Sequence, residues 1–214
     1  NMFITFFRKF DRRGTLIVML FLLLYRFPEA LLNTMTKTFM LRHNYAGGLG
    51  LSPQEYGLVQ GTVGAIGVAL GGIFGGIAAS HGGLRKWLWP MAFAFTLPSL
   101  VYVFLSYALP SSLLAINLCV FLEQFGYGFG LTAYMLYLIY FSRGEFRTSH
   151  YALASALMSL SMMLLGLFAG ALQETMGYRH YFILVILCCT VTYLVTAFLK
   201  IDPQFGKRED DETE

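Results

Sequence analysis

Six runs of mostly apolar residues restrict what this chain can fold into. They cover residues 15–40, 56–80, 87–108, 113–141, 151–172 and 181–199. A helix needs about 20 such residues to cross a bilayer, and the short connectors leave no room for a soluble domain between runs. Only 13% of the 214 residues are charged, whereas soluble proteins have roughly 25%. The sequence therefore predicts an all-α protein with six transmembrane helices in a lipid bilayer.

Lysines and arginines near the ends of the runs predict the orientation of the chain, because cytoplasmic connectors are enriched in them. One side has only Arg42 and Arg179, and the other has eleven basic residues: Arg8, Lys9, Arg12, Arg13, Arg85, Lys86, Arg143, Arg147, Lys200, Lys207 and Arg208. We therefore expect both termini to be cytoplasmic, and we expect no removable signal peptide before the first run.

Three segments follow from this pattern. Residues 1–13 mix five large apolar side chains with basic ones, which is typical of an amphipathic helix on the membrane surface. A frayed basic linker is the alternative there. Residues 14–200 form the six-helix transmembrane domain. Residues 201–214 are rich in charge, and we expect a disordered cytoplasmic tail.

An internal repeat emerges when the sequence is shifted by 94 residues. Gly83 and Arg85 then align with Gly177 and Arg179, and Glu29 aligns with Glu123. Each copy holds three runs, so the two copies must have opposite topology. An inverted three-plus-three repeat is typical of transporters, whose substrate site lies near the membrane midplane.

Polar residues of the first run share one helical face. At about 100° per residue, they fall within roughly 80° of one another, although a kink at Pro28 would blur this phase. The set comprises Arg26, Glu29, Asn33 and Lys37. In the fourth run another face holds Glu123, Tyr127, Tyr134 and Tyr137, with Gln124 beside it.

These faces cannot lie comfortably against lipid, because each charge at mid-depth costs about 2.5–3.5 kcal/mol. A buried ion pair of Arg26 with Glu29 or with Glu123 would be a purely structural explanation. Four polar groups and a row of tyrosines exceed what one such pair needs, so we favour a ligand cavity. The candidate substrate residues are Arg26, Glu29, Asn33, Lys37, Gln124, Tyr127, Tyr134 and Tyr137, and Glu123 and Glu29 are the candidates for proton coupling.

Other functions find less support in the sequence. The four histidines and three cysteines lack the spacing of metal ligands, and we expect no metal and no cofactor. The net charge of +3 is too small and dispersed to indicate nucleic acid. No ordered catalytic motif is present, so an enzyme using Glu123 and the tyrosines stays a weaker alternative.

Several segments resemble the C-terminal half of AmpG-type muropeptide permeases, in the peptide–acetyl-CoA transporter branch of the major facilitator superfamily. The strongest are "LLYRFPEALLNTMTKTFMLR", "FLEQFGYGFGLTAYMLYLIYFSR" and "YALASALMSLSMMLLGLFAGALQETMGYRHYF". The likeness extends over residues 15–199. "GGIAASHGGLRK" also resembles a degraded copy of the superfamily's loop signature, with Ala79 where an aspartate is usual.

The resemblance implies a half-transporter whose first and fourth helices line a central cavity. Its implied cargo is an anionic sugar-peptide from cell-wall degradation, imported with protons across the bacterial inner membrane. Another peptide, a sugar, an acyl-CoA-like anion or a non-transporting binding module are alternatives. A complete permease has a first half as well, so we expect either a missing N-terminal half or a second copy of this chain as partner.

Overall fold

The computed structural model describes residues 12–144 and 146–199, together with Ile201 and Phe205; the side chains of residues 12, 13 and 165 are not described. This part of the chain contains helices and no strand. The helices are α1 (Arg12–Leu24), α2 (Phe27–Leu41), α3 (Pro53–Tyr56), α4 (Ala65–Gly82), α5 (Leu84–Thr96), α6 (Leu100–Ala108), α7 (Leu113–Ser142) and α8 (Arg147–Ala197). A π-helix, Gly57–Gly64, joins α3 to α4, and short 3₁₀ turns occupy Asn44–Ala46 and Leu97–Ser99.

Five stretches of the described chain are long and apolar enough to cross a membrane. They are Gly14–Leu41, Pro53–Gly82, Leu84–Ala108, Leu113–Ser142 and Arg147–Ala197. The first four correspond to the first four predicted runs, and the fifth contains the last two. The protein is thus an all-α, multi-pass membrane protein, as its composition predicts.

The first stretch is broken in its middle. Arg26 leaves the helical conformation, with φ −92° and ψ 12°, and α2 begins directly after it with Pro28 in its first turn. Proline is well placed there because it has no N–H group to leave unpaired, whereas inside a helix it removes a backbone hydrogen bond and clashes with the preceding turn. The predicted kink at Pro28 is therefore a complete break between α1 and α2.

Hydroxyl groups from other helices satisfy the backbone carbonyls that this break exposes. Tyr134 donates to the carbonyl of Leu22 over 2.8 Å, Thr192 donates to that of Tyr25 over 2.8 Å, and Ser161 donates to that of Leu23. The last carbonyls of a helix have no partner within it, and water is absent from the bilayer core. These hydrogen bonds from α7 and α8 therefore stabilise the end of α1 within the membrane span, where carbonyl groups without partners would be unfavourable.

Helix α8 reverses direction at Gly177, whose φ of 72° and ψ of 167° are not helical. Met158 and Thr192, on either side of the reversal, contact the adjacent residues Arg26 and Tyr25. In one straight helix they would be roughly 50 Å apart. Between them, Tyr178 packs on Phe39 at the far end of α2, with ring centroids 5.1 Å apart. Residues 147–176 and 178–197 therefore lie side by side, as two separate spans require, while the count of six spans stays a prediction.

The two halves of the predicted repeat turn in the same way. Gly83 has φ 76° and ψ 156°, close to the values at Gly177, and it stands between α4 and α5. Side chains rarely adopt a positive φ, whereas glycine does so at little cost. The shared turn agrees with the predicted repeat, which itself stays a prediction.

Two buried apolar clusters fill the ends of the helical bundle. One is built around Phe21, Tyr25, Tyr134 and Tyr137, and the other around Phe39, Tyr102, Tyr181 and Phe182. Helices α4 and α7 approach so closely that a Cβ at Gly71 would lie 2.1 Å from the Phe125 carbonyl oxygen. The break after α1 lies between the two clusters, near the middle of the bundle.

The predicted terminal segments fall largely outside the described residues. The amphipathic segment at residues 1–13 does so except for the backbone of residues 12 and 13, which begins α1. In the segment expected to be a disordered tail, Ile201 and Phe205 are buried against the bundle. Their apolar side chains precede the charged run, and the rest of the tail lies outside the described residues.

Candidate polar site at the helix break

Arg26 and Glu29 form a two-point ion pair at the break between α1 and α2. The guanidinium Nε lies 2.5 Å from Glu29 Oε2, and Nη2 lies 2.6 Å from Glu29 Oε1. The Arg26 side chain is 11% exposed and that of Glu29 is 5% exposed. Glu29 also lies in the first turn of α2, where backbone N–H groups favour a negative charge. The sequence allowed Arg26 to pair with Glu29 or with Glu123, and in the structure it pairs with Glu29.

Three more side chains complete the shell of this pair. Arg26 Nη2 donates to the Tyr127 hydroxyl oxygen over 3.0 Å, and Asn33 Nδ2 donates to Glu29 Oε1 over 2.9 Å. Arg26 Nη1 lies 3.2 Å from the sulfur of Met158 on α8. The pair is thus held from α2, α7 and α8 together, so a movement between these helices would change its partners.

Glu123 on α7 is the second buried carboxylate of the site. It is 5% exposed and accepts a hydrogen bond from Gln124 Nε2 over 2.7 Å. The side chain of Tyr102 is close to it. No arginine or lysine among the described residues forms an ion pair with Glu123. The two carboxylates that the predicted repeat relates therefore have different surroundings, since Glu29 has a cation and Glu123 has an amide.

A small cavity joins Glu29 and Glu123. Its volume is about 10 Å³, which is room for about one water. Its other walls are Pro28, Leu32, Phe95, Thr96, Ser99 and Tyr127. Glu29 and Glu123, on two different helices, therefore line the same small space near the middle of the bundle.

Three of the other predicted residues, Tyr134, Tyr137 and Lys37, lie outside this group. Tyr134 and Tyr137 are fully buried in the apolar cluster, where Tyr134 caps Leu22 and Tyr137 packs on Phe21 at 4.8 Å between ring centroids. Lys37 is exposed, and none of the described residues forms a hydrogen bond or ion pair with it. Asn33 is exposed although its amide reaches Glu29. The predicted polar face of α2 thus begins in the buried network and ends on the surface.

Two neighbours of the site were missed in the sequence. Met158 belongs to an apolar run and carries no signal that would distinguish it from a core residue. Tyr102 was detectable in principle, because its hydroxyl is one of few polar groups in the third run. Its position close to Glu123 depends on how α6 packs on α7. The residue pattern of either helix does not predict that packing.

Comparison with known proteins identifies the family of this chain. The sequence profile of the Major Facilitator Superfamily matches residues 6–214. "Putative transporter AmpG 1" of Rickettsia felis is 25% identical over 185 residues, and "Anhydromuropeptide permease" of Escherichia coli strain K12 is 26% identical over 174 residues. "Putative transporter AmpG 4" of Rickettsia conorii is 24% identical over 190 residues.

These alignments cover 86%, 81% and 89% of this chain, but only 40%, 34% and 44% of the three relatives. The chain therefore spans less than half the length of the curated relatives it matches. The profile match, by contrast, extends over nearly all of its residues, and it agrees with the apolar spans. The chain belongs to the major facilitator superfamily.

Proposed function

We propose that this chain is one half of a secondary active transporter that imports muropeptide-like cell-wall fragments with protons. The observation that carries the proposal is the buried group of Arg26, Glu29 and Glu123 near the middle of the bundle. A buried arginine with carboxylates on two different helices can bind an anion and can also respond to protonation. The relatives named as permeases and transporters support the transport class and its cargo.

In this proposal Arg26 is the anchor for the anionic substrate. A guanidinium binds a carboxylate at two points, which is the geometry that Glu29 occupies in the structure. An incoming carboxylate must therefore replace Glu29 at Arg26. Protonation of Glu29 would weaken the internal pair and release Arg26, so that proton binding and substrate binding favour each other.

Glu123 is our candidate for the coupling proton. Among the described residues it has no cationic partner, and it lines the cavity shared with Glu29. In this proposal a proton moves between Glu123 and Glu29 across the cavity, which has room for about one water. Glu29 is its counterpart in the predicted repeat and the second candidate for coupling.

The remaining parts of the proposal concern the surroundings of the chain. The transporter lies in a bacterial inner membrane with both termini cytoplasmic, as the distribution of arginine and lysine indicates. An N-terminal half or a second copy of this chain faces the polar end of α2, where Asn33 and Lys37 are exposed. The substrate then binds between the two halves.

Uptake into proteoliposomes tests the function. The complete protein should accumulate an anhydro-sugar peptide when an inward proton gradient is imposed, and a proton carrier should abolish the accumulation. Accumulation of an unrelated peptide, a sugar or an acyl-CoA-like anion in place of the muropeptide would reassign the cargo. Binding without any transport would leave only the binding-module alternative.

A further inference from the structure

A second cavity lies at one end of the bundle, far from the polar site. It has a volume of about 450 Å³ and lies between the first turns of α5 and the end of α8. Its walls include Arg85, Trp89 and Thr196, and the apolar side chains of Leu88, Leu199 and Ile201. A space of this size accommodates a lipid headgroup or another small molecule. None of the described wall residues is acidic.

Arg85 has no protein partner among the described residues. It is exposed, and it forms no ion pair, hydrogen bond or stacking contact with them. The indole N–H of Trp89 likewise donates to no described residue. Among the described residues, the cavity therefore presents an unpaired cation and an unpaired donor beside apolar walls, which is a combination that suits an anion attached to an apolar chain.

Arg179 provides an internal comparison, because it occupies the same local position. Each arginine stands two residues after a glycine of positive φ, Gly83 or Gly177. Arg179 is satisfied by the protein itself: its Nε donates to the Ser106 carbonyl over 3.3 Å, and its guanidinium lies 5.1 Å from the centre of the Tyr107 ring. No described residue makes such contacts with Arg85, so the two arginines differ in their partners within the described chain.

We propose that this cavity binds the phosphate of an anionic phospholipid, with Arg85 as its charged contact. Trp89 is 40% exposed and lies near a helix end, as tryptophans at the membrane–water interface do. Leu88, Leu199 and Ile201 supply the apolar surface that a free phosphate ion would not need. The cavity lies at the end of the bundle that is predicted to be cytoplasmic, and basic pockets on that side bind anionic headgroups.

Native mass spectrometry of the complete protein tests this proposal. The probes are phosphatidylglycerol and phosphatidylcholine, each added to the delipidated protein. We expect one retained phosphatidylglycerol per chain, and about fivefold weaker retention after Arg85→Gln, the effect of about one basic contact to the membrane surface. Arg179→Gln removes the same charge at the partnered position and should leave retention unchanged. Equal thermal unfolding of the two variants would show that both are folded.

Three results would overturn the assignment. The first is undiminished retention of phosphatidylglycerol by Arg85→Gln, and the second is an equal loss in both variants. The third concerns the source of the phosphate. If millimolar inorganic phosphate displaces the lipid and binds with the same dependence on Arg85, the cavity is an ion site and the lipid assignment fails. Retention that survives inorganic phosphate supports the lipid.

Discussion

The ion pair of Arg26 and Glu29 shows how this protein tolerates charge inside a bilayer. Each charge alone would cost about 2.5–3.5 kcal/mol at mid-depth. The two-point contact, together with Tyr127 and Asn33, gives both groups hydrogen-bonding partners in place of water. Such a pair is stable only while it is complete, because removal of one member leaves the other charge unpaired. The proposed function uses this property, since a substrate or a proton that displaces one member would change the state of the other.

Glu123→Gln tests proton coupling. We expect the variant to bind substrate with an affinity similar to that of the wild type, because Glu123 does not contact Arg26, but to lose proton-driven accumulation. Uptake into proteoliposomes with and without a pH gradient measures this directly. Glu174→Gln is the matched control, because Glu174 is exposed on α8. This variant should accumulate substrate normally. Full proton-driven accumulation by Glu123→Gln would show that another group carries the proton.

Arg26→Ala tests the anion anchor. Hydrogen bonds to charged groups contribute about 1.5–3 kcal/mol each, so substrate binding should weaken by at least about tenfold. Isothermal titration of the complete protein measures the affinity. Because the substitution leaves Glu29 without its cation, the double variant Arg26→Ala, Glu29→Gln separates lost binding from lost stability. Normal substrate binding by that double variant would assign the pair a structural role only.

The candidate site was predictable from the sequence where one helix alone determines it. Arg26, Glu29 and Asn33 are close together because helical geometry and Pro28 place them so. Tyr127 and Tyr134 share a face of α7 by the same rule, yet only Tyr127 joins the polar site. Tyr134 instead reaches the end of α1, since the break exposes a carbonyl there. Which residues of other helices a side chain contacts depends on how the helices pack. The pattern of a single sequence does not specify that packing.

At the scale of helices, hydroxyl groups stabilise the broken first span. Thr192→Val keeps the shape of the side chain but removes the donor to the Tyr25 carbonyl, which lies 2.8 Å away. An unsatisfied buried acceptor costs about 1–3 kcal/mol, so thermal unfolding in detergent should occur at a lower temperature. Thr190→Val is the control, because the exposed Thr190 hydroxyl bonds only within its own helix. Equal unfolding temperatures for the two variants would contradict the capping role.

Close packing of α4 on α7 gives a second prediction about helices. A methyl group at Gly71 would collide with the Phe125 carbonyl, whereas one at Gly72 would meet nothing within 4 Å. Gly71→Ala should destabilise the protein by about 1–3 kcal/mol, the usual cost of overpacking. Gly72→Ala should be neutral or slightly stabilising, since alanine favours the helix. If both variants unfold like the wild type in thermal melts, the two helices are less tightly packed than the structure shows.

The extent of each helix was easier to predict than its continuity. Apolar length placed the fourth run at residues 113–141, and α7 covers Leu113–Ser142. The same criterion gave no sign of the 3₁₀ turn Leu97–Ser99 inside the third run. Pro98 lies in that turn and Pro28 follows the break in the first run, so prolines marked both places. Whether a proline bends a helix or ends it depends on the partners available to the freed carbonyls.

For the whole molecule, the orientation in the membrane is the most direct prediction. Positions 85 and 147 should face the cytoplasm and position 179 the periplasm. Single cysteines at these positions, in a variant without Cys119, Cys188 and Cys189, can be labelled in intact cells with a reagent that does not cross the inner membrane. We expect labelling at 179 alone, and labelling at all three after the membrane is opened. Efficient labelling of position 85 in intact cells would reverse the assignment.

The last prediction concerns the completeness of the transporter. On α2, Asn33 and Lys37 are exposed, and the π-helix carries Gly57 and Gly61 with open space beside them. Polar groups at this depth need a protein or a watery cavity as neighbour, so another bundle should cover this surface. We therefore expect the 214-residue chain alone, reconstituted as a monomer, to show no concentrative uptake.

Co-reconstitution with an N-terminal half, or assembly of two copies, should restore the uptake. Light scattering in detergent and single-molecule counting of labelled chains in the vesicles establish the number of copies. A variant with Lys37→Glu reverses one charge on the uncovered surface and should weaken that assembly without unfolding the bundle. Concentrative uptake by a chain shown to be monomeric would contradict the half-transporter, because one bundle would then provide both walls of the substrate path.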